Sequence, residues 1–83
     1  MRTFGITLPQ YETKLREQSG LCAICNKHYT EFKEQALCID HNHTTGKTRA
    51  LLCRNCNLAV GNLLDSPTIA ASAAAYLLRH ESE

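Results

Sequence analysis

Leu37-Cys38-Ile39-Asp40-His41-Asn42-His43-Thr44-Thr45-Gly46-Lys47-Thr48-Arg49-Ala50-Leu51-Leu52-Cys53-Arg54-Asn55-Cys56-Asn57 is the stretch of this 83-residue chain whose reading decides the fold. The run from Ala36 to His41 is apolar until its final acid and imidazole, and Arg49-Ala50-Leu51-Leu52 offers a partner strand. Between the two, Asn42 to Thr48 is polar and contains Gly46, the natural turn residue. The spacing predicts a β-hairpin with polar side chains at its tip. Cys53 and Cys56 follow at once, and a helix from Arg54 to Leu64 is expected to emerge there, with Leu58 and Leu64 among its inward residues.

Upstream, Cys22-Ala23-Ile24-Cys25 repeats the Cys-x-x-Cys spacing of Cys53 and Cys56. One such turn brings two sulfurs to a point, and two turns complete the closed tetrahedral set that structural Zn²⁺ prefers. Three other readings compete. A thioredoxin-like redox pair lacks its βαβ context here. Two disulfides require an oxidising compartment, and nothing at Met1-Arg2-Thr3-Phe4-Gly5 reads as a secretory signal, because a polar stretch follows it. A Cys₂His₂ set of Cys22, Cys25, His41 and His43 would leave Cys53 and Cys56 idle. The fifth cysteine, Cys38, sits in the apolar strand and reads as a small buried hydrophobe. His28 and His80 show no partner pattern and are expected to be exposed.

No apolar run is long enough to span a bilayer, so no membrane is expected, and the setting is read as reducing and cytoplasmic. Size also favours a metal. A chain this short buries about 60–65% of its unfolded surface, and its core rarely supplies more than ~3–5 kcal/mol. The whole of 1–83 reads as one domain with no repeat, low-complexity tract or linker.

Toward the termini, Thr7-Leu8-Pro9-Gln10 has capping-box spacing, so a helix should start there within the N-terminal segment 1–20. Leu8, Tyr11 and Leu15 would form its apolar face, and Gly20 can take the left-handed conformation that ends it. At the other end Ser66-Pro67 supplies an N-cap and a first-turn proline for an Ala-rich helix over 66–80. Ile69, Ala70, Ala73, Ala74, Tyr76, Leu77 and Leu78 make that helix more apolar than one buried face needs. The N-terminal helix would cover part of it, and a homodimer through the terminal helices would cover the rest.

A net charge of +1 neither supports nor excludes nucleic acid. Locally, Lys27, Lys33, Lys47, Arg49 and Arg54 outnumber Glu31, Glu34 and Asp40 between the knuckles. The chemistry-bearing residues are Asp40, His41 and His43 at the end of the first strand, with Asn57 directly after Cys56. Oxygen donors for a hard cation beside an imidazole that titrates near neutrality are what phosphodiester hydrolysis needs. Each has a plainer reading: an ion pair at a strand end for Asp-His, a helix-terminus residue for Asn57.

Taken together, Cys22-Ala23-Ile24-Cys25 and the stretch from Leu37 to Asn57 closely resemble the phage recombination endonuclease VII family, within the HNH or ββα-metal nucleases. The resemblance runs from about the first helix to Leu64. It implies a small α+β zinc-stapled domain, with a ββα-metal hairpin-helix core over 21–64 and flanking N- and C-terminal helices. It further implies that Cys22, Cys25, Cys53 and Cys56 hold structural Zn²⁺, and that Asp40 and Asn57 hold catalytic Mg²⁺ or Mn²⁺. His41 would be the general base and His43 would assist at the phosphate, leaving 5′-phosphate and 3′-hydroxyl ends. DNA, whether duplex, nicked or branched, would be the substrate. Arg49 and Arg54, with Lys47, are candidate contacts to its phosphates, and a solvated surface is the competing reading of the two arginines. The family's founding junction-resolving enzyme carries a further C-terminal region, so junction specificity does not follow for this chain. The other functional class is a non-catalytic zinc module that binds nucleic acid or protein, which has no need of Asp40, His41 and Asn57 together.

Overall fold

A computed structural model describes residues 6–82. Residues 1–5, which open the expected N-terminal segment, and Glu83 lie outside the described residues. The order of elements is α1 (Leu8–Glu17), a single 3₁₀ turn (Tyr29–Glu31), β1 (Cys38–His41), β2 (Thr48–Leu52), α2 (Arg54–Asn62) and α3 (Pro67–Arg79).

The capping box forms as the sequence predicts. Thr7 Oγ1 accepts from the Gln10 N–H at 3.3 Å, and the Gln10 side chain accepts from the Thr7 N–H at 2.7 Å. Tyr11 is buried and donates its hydroxyl to the Leu37 carbonyl at 2.8 Å, while Leu15 packs at the edge of the core. Leu8, expected on the same face, is 61% exposed. The bonds that dock α1 all begin at Tyr11 or later: Lys14 Nζ donates to the Arg49 carbonyl, and the Gln18 amide exchanges bonds with Leu51. The first turn, with Leu8, lies outside that docking.

α1 ends at Glu17, where the left-handed residue after the cap is Ser19 at φ +54° and not Gly20 as the sequence suggests; Gly20 follows, buried and also left-handed at φ +74°. A Cβ there would stand 2.6 Å from His28 Nε2, and an L side chain is strained at this φ whatever the space. Gly20→Ala is therefore expected to lower stability by about 1–3 kcal/mol, read as a lower melting temperature; an unchanged melt would refute it. His28 itself corrects an expectation. It is half-buried, its Nδ1 lies 2.9 Å from Thr30 Oγ1, and it caps the 3₁₀ turn. His80 is exposed as expected.

β1 and β2 form an antiparallel hairpin in which Cys38 faces Leu52, Ile39 faces Leu51, and His41 faces Thr48. Two residues of β2, Arg49 and Ala50, thus stand opposite the single residue Asp40, a β-bulge. Asn42 closes the tip, its Oδ1 accepting from the N–H groups of Thr44 and Thr45 at 2.8 and 2.9 Å, with Gly46 at φ +77°.

Only Cys53 separates β2 from α2. The helix ends at Asn62, two residues short of expectation, because Leu64 and Asp65 both adopt left-handed conformations at φ +58° and +57°. Leu58 and Leu64 are exposed, not inward; the face of α2 that meets the core carries Cys56 and Val60. The reason is phase: Cys56 must face the sulfur cluster, and Val60 lies one turn further on the same stripe. α3 starts as predicted, with Ser66 Oγ accepting from the Ile69 N–H at 3.1 Å, but it buries no residue fully, so α1 leaves most of its apolar surface uncovered. The core consists of Tyr11, Cys22, Leu37, Ile39, Leu51, Leu52 and Cys53. No helix among the described residues is long and apolar enough to cross a membrane.

Candidate metal centre and active site

The two knuckles converge. The Sγ atoms of Cys22, Cys25, Cys53 and Cys56 all lie within 4.8 Å of one another, with Cys25 and Cys53 3.9 Å apart. Four sulfurs about 2.3 Å from a shared tetrahedral ion would be roughly 3.8 Å apart, so the set fits Zn²⁺. Backbone geometry builds each half. In the first, Cys22 accepts the Asn26 N–H on its carbonyl and donates its own N–H to Lys27, with Asn26 left-handed at φ +63°. In the second, Cys53 is the N-cap of α2, and its sulfur accepts from the Cys56 N–H at 3.4 Å. The Ala23 N–H bonds the Leu51 carbonyl, which joins the first knuckle to β2.

Electrostatics give a second sign of a cation site. Burial works against the Cys22 thiolate, yet the N–H groups of Cys25, Cys53 and Ile24 outweigh it and bring the pKa down to about 6. Burial and the neighbouring sulfurs push Cys56 well above the ordinary thiol range. The crowded sulfurs cannot all ionise on their own, and a divalent ion removes that conflict. His41 and His43 lie outside this four-cysteine group, so the Cys₂His₂ combination does not form. Cys38 also stands apart, half-buried, its thiol raised by burial and by Glu34.

At the far end of β1, His41 is half-buried and His43 exposed, their rings stacked with centroids 5.0 Å apart. Asp40, beside them, is 6% exposed. Its carboxylate is gripped on both oxygens by Arg49: Nε to Oδ2 at 2.6 Å and Nη2 to Oδ1 at 3.1 Å. Arg49 Nη2 also reaches Asp65 Oδ1 at 3.0 Å. The two carboxylates raise the arginine's pKa above its already high ordinary value. In return Arg49 holds the Asp65 carboxyl below the usual range against partial burial, and the charge and backbone N–H of His43 add to this. The three side chains border a hollow of about 330 Å³ whose other walls, including Ile24, Leu52, Val60 and Leu63, are mostly apolar.

Arg49, read in the sequence as a phosphate contact, is turned to Asp40 and Asp65 while its side chain stays 37% exposed. Lys47 is exposed on the hairpin tip; Arg54 is exposed at the start of α2, bordering a hollow with Glu31 and Glu34. Asn57 is half-buried on the first turn of α2, one residue after a cluster cysteine, and its N–H bonds the Cys53 carbonyl. Asp65 escaped the sequence reading because it follows the helix and belongs to no motif. Its signal was slight: an acid in a turn whose left-handed backbone aspartate tolerates.

A hairpin and helix joined by a four-cysteine cluster that could hold zinc, with an acid and two imidazoles at one strand end, define a small α+β domain with a polar site beside that cluster. The chain belongs to the recombination endonuclease VII family, whose model matches residues 1–79. Among curated proteins it is similar to the Gene 59 protein of Mycobacterium phage D29 and to that of Mycobacterium phage L5. Each is 40% identical over 57 residues, 69% of this chain and 33% and 34% of theirs respectively. The chain thus spans about a third of the length of the curated relatives it matches. No solved structure matches it.

Proposed function

We propose that this domain is a metal-dependent DNA endonuclease of the HNH type, with β1, β2 and α2 as its ββα-metal core. The observation that carries this reading is the placement of Asp40, His41 and His43 at one end of β1, with the two imidazole rings stacked, in a member of an endonuclease family. The cysteine cluster roots both the sheet and α2, so structural Zn²⁺ would fix the angle between the strand bearing Asp40 and the helix bearing Asn57. Asp40 and Asn57 offer hard oxygen donors, and each Asp40 oxygen keeps a lone pair beyond its bond to Arg49. They fit Mg²⁺ or Mn²⁺ in donor chemistry.

His41 takes the proton from a water aligned with the scissile phosphorus, acting as the general base. His43, stacked on it and exposed, meets the phosphate. Lys47 and Arg54 attract the DNA backbone without reading sequence. When bound, the divalent ion supplies stabilisation of the negative charge that builds on the phosphate oxygens. The products carry 5′-phosphate and 3′-hydroxyl ends. The protein works in a reducing cytoplasm, where thiolates stay available to zinc.

One observation favours a second reading. The two-pronged hold of Arg49 on Asp40 is also what an inert zinc module would keep for stability, leaving nucleic acid or a protein partner to bind elsewhere. Incubating supercoiled plasmid and a synthetic four-way junction with the protein separates the two. Nicked or cut product that requires Mg²⁺ or Mn²⁺ is expected, and binding without cleavage at any metal concentration would establish the inert module. Exposed Ile69, Tyr76, Leu77 and Leu78 on α3 favour a homodimer as the working species. Light scattering on the same samples reads this, a mass near 9.3 kDa at all concentrations ruling it out.

A further inference from the structure

We propose that Asp65 is a positioning residue of the divalent-metal site: it holds Arg49 where the guanidinium can yield Asp40 to an incoming cation and remain neutralised. This rests on the metal reading above. The geometry that points to it is one shared nitrogen. Arg49 Nη2 lies 3.1 Å from Asp40 Oδ1 and 3.0 Å from Asp65 Oδ1, so one terminal amino group serves both acids. Nε adds the second prong to Asp40 at 2.6 Å. As it stands, the guanidinium occupies one lone pair on each oxygen of the carboxylate that a cation would use.

A divalent ion at Asp40 and an arginine pressed on the same carboxylate repel each other, and the arginine must then loosen its hold. Without another acid in reach, loosening would leave the guanidinium, whose side chain is 37% exposed, without a charge partner at the edge of the hollow. Asp65 is that partner. It is already bonded to Nη2, so Arg49 shifts its weight from one acid to the other without losing its charge partner. The backbone is shaped for this. Leu64 and Asp65 both take left-handed conformations, unfavourable for leucine, and the Asp65 N–H bonds back to the Val60 carbonyl, which turns the carboxylate over the hairpin.

The experiment is a Mn²⁺ titration of the zinc-loaded protein, with free Mn²⁺ read by electron paramagnetic resonance and no DNA present. Asp40→Asn identifies the site. Asp65→Asn removes the charge while keeping a residue that tolerates left-handed backbone, so zinc content and fold should be preserved. It is expected to weaken Mn²⁺ binding by about tenfold, the worth of one charge-assisted hydrogen bond. In an Arg49→Gln background the same substitution should have no further effect, because Asp65 acts through the arginine. If Arg49→Gln fails to hold zinc, Arg49→Lys takes its place, since a single amine cannot repeat the fork.

Equal Mn²⁺ affinity for wild type and Asp65→Asn would overturn the proposal. So would an undiminished loss in the arginine variant, which would make Asp65 a direct ligand or a bulk charge. Mn²⁺ that binds wild type and Asp40→Asn alike would remove the metal reading itself, and this proposal with it.

Discussion

Cys53→Ser is expected to strip the domain of its zinc and of its cooperative fold together. Cys53 is 2% exposed, belongs to the hydrophobic core, caps α2 through its sulfur and is one corner of the four-sulfur cluster. Serine keeps a cap but gives up the soft thiolate and the buried volume. Structural zinc in domains of this size carries roughly 10–16 kcal/mol of apparent binding free energy, against the ~3–5 kcal/mol a core this small supplies. A zinc ion held there would therefore stabilise the fold more than the core does, and its loss should leave no two-state transition at all. Zinc content by elemental analysis and a circular dichroism melt check this. A variant, or a chelated wild type, that melts cooperatively at the original temperature would defeat the structural role of the cluster.

His41→Ala should do the reverse, sparing the fold and removing the chemistry. His41 is half-buried at the end of β1, opposite Thr48, and it stands outside the cysteine group. Its removal takes one imidazole from the stacked pair and no zinc ligand. Zinc content should stay at the wild-type value, with stability within about 1 kcal/mol of it. Mg²⁺-dependent cleavage of plasmid should fall by about 10²–10⁴-fold, the usual contribution of a general base. Cleavage at the wild-type rate would move the base elsewhere, and loss of zinc would mean that His41 serves the metal cluster after all.

The parts of this fold that could be read in the sequence are those fixed by local chemistry. The Thr7–Gln10 box, the Ser66-Pro67 start and the Gly46 turn each depend on residues within four positions of one another, and each forms as expected. The cysteine pairs were legible for a related reason: Cys-x-x-Cys builds its own turn, and two of them need only to meet. Burial on the helices was less legible. Leu8, Leu58 and Leu64 are as apolar as Leu51, but a sheet of two strands cannot cover every leucine that the helices offer.

The arrangement around Asp40 was hidden by a single extra residue. In a regular antiparallel ladder Arg49 would face His41 and share its side of the hairpin, reaching outward as a phosphate contact would. The bulge on β2 puts Thr48 opposite His41 and leaves Arg49 beside Asp40, where it turns to the acid. Alternation in the sequence carries no mark of that shift. Asp65 was hidden with it, since its place depends on two left-handed residues in succession, one of them leucine.

With Cys53 as the only residue between β2 and α2, the junction has no slack in length. An α-helix turns about 100° per residue, so one residue inserted there would rotate Cys56 and Asn57 away from their present directions in a single event. The hairpin tip is different. Thr44, Thr45 and Gly46 are exposed, and Asn42 closes the loop from its base, so chain added beyond it would run into solvent. Length variation and grafted peptides thus have a natural home at the tip, within reach of whatever approaches His43, while the Leu52–Arg54 step works as a fixed ruler.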